Sequence, residues 1–176
     1  MRVVKKHLWM LVALCFLFGN CGMFQTIIKS SFPYTTTLVI PSSSKVGKEY
    51  SVTSMANSFD QNFSKSGNNG DRISEVRIVS AKLQSIDPSD YNIGNWVSAR
   101  IYMSKSDGSG EVLVATRNDI TENVGNSIVL DINNGEFLDD LVRLSDIRVR
   151  LVYKLRTTVN TDVSLHVVLG LGANPN

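Results

Sequence analysis

The chain is short of cysteine, histidine and charge. It carries two cysteines and two histidines in 176 residues. Two thiols exclude a disulfide-dense scaffold and a four-cysteine zinc site. Charged residues make up 19% of the chain and hydrophobic residues 43%, which excludes a disordered polyelectrolyte. The longest unbroken apolar run, Leu8 to Phe18, is 11 residues. A membrane-crossing helix needs about 20, so a polytopic helical membrane protein is not expected. The length fits one ordinary domain.

What is present begins with an export signal. Arg2, Lys5 and Lys6 precede the apolar run, and Gly19-Asn20 breaks it just before Cys21. That is the layout of a secretory signal peptide. No A-x-A cleavage site follows the run. The segment Leu17-Phe18-Gly19-Asn20-Cys21 instead resembles a bacterial lipobox, with Phe18 and Asn20 where Leu and Gly or Ala are usual. The expectation is removal of residues 1–20 and lipidation of Cys21. Its thiol would carry a diacylglyceryl thioether and its freed amine an acyl chain such as palmitate. Each buried methylene contributes about 0.8 kcal/mol, and stable anchoring takes two or more chains. The first expected partner is therefore a membrane, reached through Cys21. No acidic run follows that residue, which favours the periplasmic face of the outer membrane over the cell surface.

Cleavage changes the charge. The formal net charge of +2 includes Arg2, Lys5 and Lys6, whereas all 16 acidic residues lie at Glu49 or later. Removing the signal leaves 15 basic and 16 acidic side chains, a charge near −1. A nucleic-acid partner is not expected. Cys15 leaves with the signal and Cys21 is blocked, so thiolate catalysis and cysteine metal sites drop out.

Residues 21–34 read as a tether and residues 35–176 as one domain. Strict alternation marks strands. Val97, Ala99, Ile101 and Met103 alternate with Ser98, Arg100, Tyr102 and Ser104. Ile147 to Leu155 alternates with Arg148, Arg150, Val152, Lys154 and Arg156, and Val163 to Leu171 alternates with Ser164, His166, Val168 and Gly170. Ile128, Leu130 and Ile132 give a shorter strand, and weaker ones fall near 37–40, 50–56, 74–83 and 111–116. Lys105 to Gly110 reads as a hairpin loop. One helix is expected over Glu136 to Leu144, capped by Asn133 or Asn134. Eight alternating strands predict an all-β fold, a single antiparallel β-sandwich with one short helix.

Little of this text carries chemistry. His166 is the one histidine past the signal, and a lone imidazole supplies neither a catalytic triad nor a zinc site. Asp139 with Asp140, and Asp87 with Asp90, are the close carboxylate pairs; they read as a solvated helix face and as turn chemistry. Asp107, Ser109 and Glu111, and separately Asn68, Asn69 and Asp71, are oxygen-rich loops that match no calcium-binding loop. Gly170-Leu171-Gly172 opens no helix and so cradles no phosphate. No catalytic residue, cofactor or metal is expected.

Two constellations remain. Arg148, Arg150, Lys154 and Arg156 line one face of a strand, as an anionic-partner contact or as charges guarding an edge strand. Tyr91, Trp96 and Tyr102 are candidates for stacking a glycan, with Trp96 also readable as packing.

The stretch from Ser98 to Ile132, the segment FLDDLVRL and the strand IRVRLVYKL resemble a family of uncharacterised Bacteroidetes lipoproteins. The matching positions are Ile101, Tyr102, Met103 and Ser104; Glu111, Val112, Val114 and Ala115; and Leu130 with Asp131. The likeness runs from about Ile73 to Leu171. It implies an exported, lipid-anchored β-sandwich and supplies no activity. The expected function is a non-catalytic binding or structural module of the envelope, with an envelope protein or a glycan as partner. A carboxylate-based hydrolase or a glycan-binding module is the alternative.

Overall fold

A computed structural model of the chain describes residues 30–57, 73–144 and 146–175. Cys21 and the polar loop with Asn68, Asn69 and Asp71 lie outside them. Nine strands form in the described residues: β1 (Ser30–Ile40), β2 (Glu49–Asn57), β3 (Ile73–Asp87), β4 (Trp96–Lys105), β5 (Val112–Arg117), β6 (Ser127–Val129), β7 (Asp131–Ile132), β8 (Asp146–Leu155) and β9 (Val163–Pro175). They make a four-stranded sheet in the order β1-β9-β3-β6 and a five-stranded sheet in the order β2-β8-β4-β5-β7. Every pairing is antiparallel. The two sheets enclose one apolar core, so the expected all-β sandwich is the observed fold.

The alternation explains why. Ile147, Val149, Leu151, Tyr153 and Leu155 of β8 are at most 1% exposed, and so are Val163, Leu165, Val167, Leu169 and Leu171 of β9. A two-residue period puts each set on one side of its strand, and burying each large side chain contributes about 1.5–3 kcal/mol. β8 and β9 are the central strands that carry the core.

Several boundaries differ from the sequence expectation. The first strand begins at Ser30, inside the expected tether, and Tyr34 is 2% exposed. Nine strands form rather than eight because 127–132 changes sheets. Ser127–Val129 pairs with β3, and Asp131–Ile132 pairs with β5. Between them Leu130 is 3% exposed, and its N–H donates to the Ala81 carbonyl. The helix shrinks to α1 (Asp139–Val142), preceded by Leu138 with no side-chain cap, so neither Asn133 nor Asn134 caps it. The Asn133 side chain instead accepts from Gly135 N.

Two further corrections bear on function. The register slips between Trp96 and Ser98. Val97 falls in that bulge, and Trp96 takes the core position the alternation assigned to Val97. Second, β8 is not an edge strand; it lies between β2 and β4. Its arginines therefore do not guard an edge. Where the edges of the two sheets approach, Thr36 Oγ1 on β1 donates to the Met55 carbonyl of β2 at 3.1 Å and shares a hydrogen bond with Ser54 Oγ at 2.9 Å.

Candidate functional site

The outer face of the five-stranded sheet collects most of the residues singled out in the sequence. Core residues of β8 point inward, so Arg148, Arg150, Val152 and Lys154 point out. Register sets their neighbours. Arg150 lies between Thr53 on β2 and Tyr102 on β4, and Lys154 between Glu49 and Ser98.

Arg150 is the fixed point of this face. Its guanidinium donates from Nε to Glu111 Oε1 at 2.7 Å and from Nη2 to Glu111 Oε2. It also lies 4.3 Å from the centroid of the Tyr102 ring. A forked, stacked guanidinium is held in one orientation. The hydrogen bonds from Arg150 hold the Glu111 carboxyl below its ordinary range, and the same bonds raise Arg150. One strand along, Arg100 meets Glu49 at 2.7 Å. Arg148 reaches under the hairpin loop, where its Nη1 is 2.6 Å from the site a Cβ on Gly108 would occupy. Gly108 has φ of 87°, so the loop needs glycine there on both counts. Neither Arg148 nor Lys154 forms an ion pair with a carboxylate among the described residues.

Glu111→Gln gives a pH-dependent readout. A carboxyl lowered in the folded state contributes stability above its unfolded pKa and loses it as pH falls through the folded value. The pair is partly exposed, with side-chain exposures of 25% for Arg150 and 30% for Glu111. A loss of about 0.5–1 kcal/mol at pH 7 is expected. In urea titrations the gap between variant and parent should close as acid protonates Glu111. A gap that persists at low pH would assign the loss to packing.

The fourth basic residue does something else. Arg156 lies beyond the end of β8 and donates to the Gly94 and Ile120 carbonyls at 2.5 and 2.7 Å. It ties loops together and leaves the stripe.

The aromatic candidates do not form a platform. Trp96 is fully buried, 5.3 Å from the Tyr153 ring, and its Nε1 donates to Tyr91 Oη at 3.0 Å. Its ring is a core element and stacks no sugar. Tyr91 is half-buried, and burial raises its hydroxyl pKa. One face of Tyr102 is covered by Arg150.

The carboxylates are similarly engaged. Asp107 Oδ1 accepts from Ser109 N at 2.8 Å, closing an Asx turn; hydrogen bonds from the Ser109 side chain and then from its backbone N–H hold the Asp107 carboxyl below its ordinary range. Asp139 Oδ2 accepts from Val76 N at 3.1 Å. That donor sits in the β3 bulge where Glu75 has a φ of 53°. Asp140 is 3.9 Å from Arg143. Ser74, Glu75, Phe137, Asp139 and Asp140 line an open recess of about 410 Å³. Asp87, the last residue of β3, and Asp90, in the turn after it, are both exposed. Among the described residues no group of three or more His, Cys, Asp or Glu stands in metal-holding geometry.

Sequence reasoning missed the acid partners on this face. Glu49 and Arg100 are 51 residues apart, and Glu111 and Arg150 are 39 apart. Alternation places each on an outer face, but only strand order brings them together. No protein-family model matches the chain, and no curated protein matches it in sequence.

Proposed function

We propose that this chain is an exported envelope lipoprotein, anchored through Cys21 at the periplasmic face of the outer membrane. It acts as a non-catalytic binding module and presents the outer face of its five-stranded sheet to an anionic partner, an acidic glycan or an acidic protein surface. The basic residues, the apolar run and the lipobox-like segment ahead of Cys21 support the anchor. One observation carries the binding reading. Arg148 and Lys154 stand on a central strand with no ion pair among the described residues, beside an Arg150 held rigid by Glu111 and Tyr102. An arginine already held by its neighbours loses little entropy on binding, and the attraction of the cations is screened by salt.

The test uses the full chain in detergent on an immobilised sulfated polysaccharide. The parent should be retained at low salt and released as salt rises. Arg148→Glu with Lys154→Glu should weaken retention by about tenfold, the cost of placing like charges against the partner. Retention unchanged in the double variant would remove this face from the function. The anchor has a separate readout, because Cys21→Ala should leave the membrane fraction. A variant that stays there would refute lipidation at Cys21.

A further inference from the structure

The loop between β7 and α1 holds a reactive pair that lies away from the candidate face. Asn134 is followed by Gly135, and among the described residues no other asparagine precedes a glycine. A second such pair in the sequence, Asn69-Gly70, lies outside the described residues. Residues 133–137 are all exposed and belong to no strand or helix. Elsewhere asparagine side chains are held. Asn92 Oδ1 accepts from Gly94 N and from Gly125 N at 3.0 Å, and Asn126 Nδ2 donates to the Ser89 carbonyl at 2.8 Å. At Asn134 only the backbone carbonyl takes part in a hydrogen bond with another described residue.

That bond comes from an arginine. Arg77 on β3 donates from Nη1 to the Asn134 carbonyl oxygen. Its guanidinium also lies 3.9 Å from the centroid of the Phe137 ring, so two contacts hold it in place. Arg77 forms no ion pair with a carboxylate among the described residues. The oxygen it holds belongs to the peptide bond between Asn134 and Gly135. When the Gly135 nitrogen loses its proton, amide resonance spreads the negative charge onto this oxygen. A fixed cation donating there stabilises the charged form, as an oxyanion-hole donor does. The Gly135 N–H is itself weakly held, donating to Asn133 Oδ1 at 3.4 Å.

We infer that Asn134-Gly135 is a site of spontaneous self-modification and that Arg77 promotes it. The Gly135 N–H proton goes to solvent base. The nitrogen attacks Asn134 Cγ, the new N–C bond forms, the Cγ–Nδ2 bond breaks, and ammonia leaves. Solvent water then opens the cyclic imide at either carbonyl, giving aspartate or isoaspartate at position 134. Glycine favours the attack because a side chain on residue 135 would crowd it and narrow the backbone angles that permit it. The fold makes no other demand for glycine there. Gly135 is not among the positive-φ glycines, and an added Cβ would meet only Asn133 Oδ1, at an ordinary 3.5 Å. The product carries a new negative charge, and isoaspartate also lengthens the main chain by a methylene. Both changes fall just ahead of the contacts that pin the loop to β3, where Leu138 N–H donates to the Val76 carbonyl and Asp139 accepts from Val76 N. The folded chain thus acquires a second, more anionic form with time.

The experiment incubates the full chain in detergent at neutral pH and follows its tryptic peptides by mass spectrometry. Cleavage after Arg117 and Arg143 places Asn134 in one peptide, and cleavage after Lys65 and Arg72 places Asn69 in another. Fragment ions then assign the converted residue. Asn134 should convert at least about tenfold faster than Asn126, and Gly135→Ala should slow it by at least about tenfold. Arg77→Met should slow it by about three- to tenfold, less than the loss of a buried oxyanion donor because solvent screens an exposed contact. In urea the contact is gone, so the parent and Arg77→Met should convert at one rate. Unchanged circular dichroism in buffer would show that each variant is folded. Conversion of Asn134 no faster than that of Asn126 overturns the inference. So does a folded Arg77→Met chain that converts as fast as the parent or faster, because an arginine that only tied the loop down would hold the reaction back. A difference between parent and Arg77→Met that persists in urea also overturns it, since the effect would then not come from the folded contact.

Discussion

Replacing Trp96 with alanine should lower folding stability by about 3–5 kcal/mol, the range for truncating a large buried aromatic side chain. The indole is fully buried and packs 5.3 Å from Tyr153. Tyr153 in turn stacks on Tyr50 at 6.1 Å and shares a 2.6 Å hydrogen bond with Ser44. Truncating Trp96 opens a cavity under that cluster and takes the donor from Tyr91 Oη. Tyr91 is half-buried, so water can replace the lost bond and the cavity dominates the cost. Trp96→Phe keeps most of the packing and should cost about 1–2 kcal/mol. Urea unfolding followed by far-ultraviolet circular dichroism measures both. A Trp96→Ala loss under 1 kcal/mol would place the ring outside the core and reopen the stacking reading. The expected result closes it, because an indole fully buried in the core presents no face to a sugar.

The case of Trp96 shows where the text of the sequence stops. Alternation identified the inner residues of β8 and β9 because a strand's faces follow from a period of two. It misassigned Val97 because a bulge adds one residue and shifts the phase. Nothing local marks that slip, since Trp96 and Val97 are both apolar. The chain between Ser127 and Ile132 fails for a related reason. Its alternation is continuous, yet Leu130 carries it from one sheet to the other. Sheet membership is decided by which strand lies alongside, a long-range property. The helix over Glu136 to Leu144 collapsed to four residues because Asp139 is drawn to the β3 bulge and Leu138 to the core. Three or four residues of helical spacing are too few to nucleate a helix alone. On the candidate face the sequence showed the cations and their shared side. It did not show which are neutralised, since Glu111 and Glu49 arrive from other strands.

Arg156 separates those roles most sharply. Arg156→Met should destabilise the fold by about 2–4 kcal/mol, because charged hydrogen bonds contribute about 1.5–3 kcal/mol each and the acceptors lie inside. Its Nη1 and Nη2 hold the carbonyls of Gly94 and Ile120, two loops 26 residues apart in sequence. Gly94 is buried and Ile120 is 1% exposed, so neither carbonyl readily regains a partner from water. The loops are close enough that a Cβ on Gly94 would be 2.6 Å from Asn123 N and 2.9 Å from the Thr121 carbonyl. Methionine keeps the length of the stem and removes the fork. Lysine should recover less than half of the loss, since one ammonium cannot reproduce two fixed donors. The ion pair with Glu122 adds little: the atoms are 3.8 Å apart and the Glu122 side chain is 73% exposed. Glu122→Gln should therefore stay within about 0.5 kcal/mol of the parent. Below its melting point, Arg156→Met should bind the sulfated polysaccharide as the parent does. Weakening on the scale of the Arg148, Lys154 variant would return Arg156 to the contact set. A loss of stability with binding intact would fix it as the clasp of the loops, and leave the anionic partner to Arg148 and Lys154.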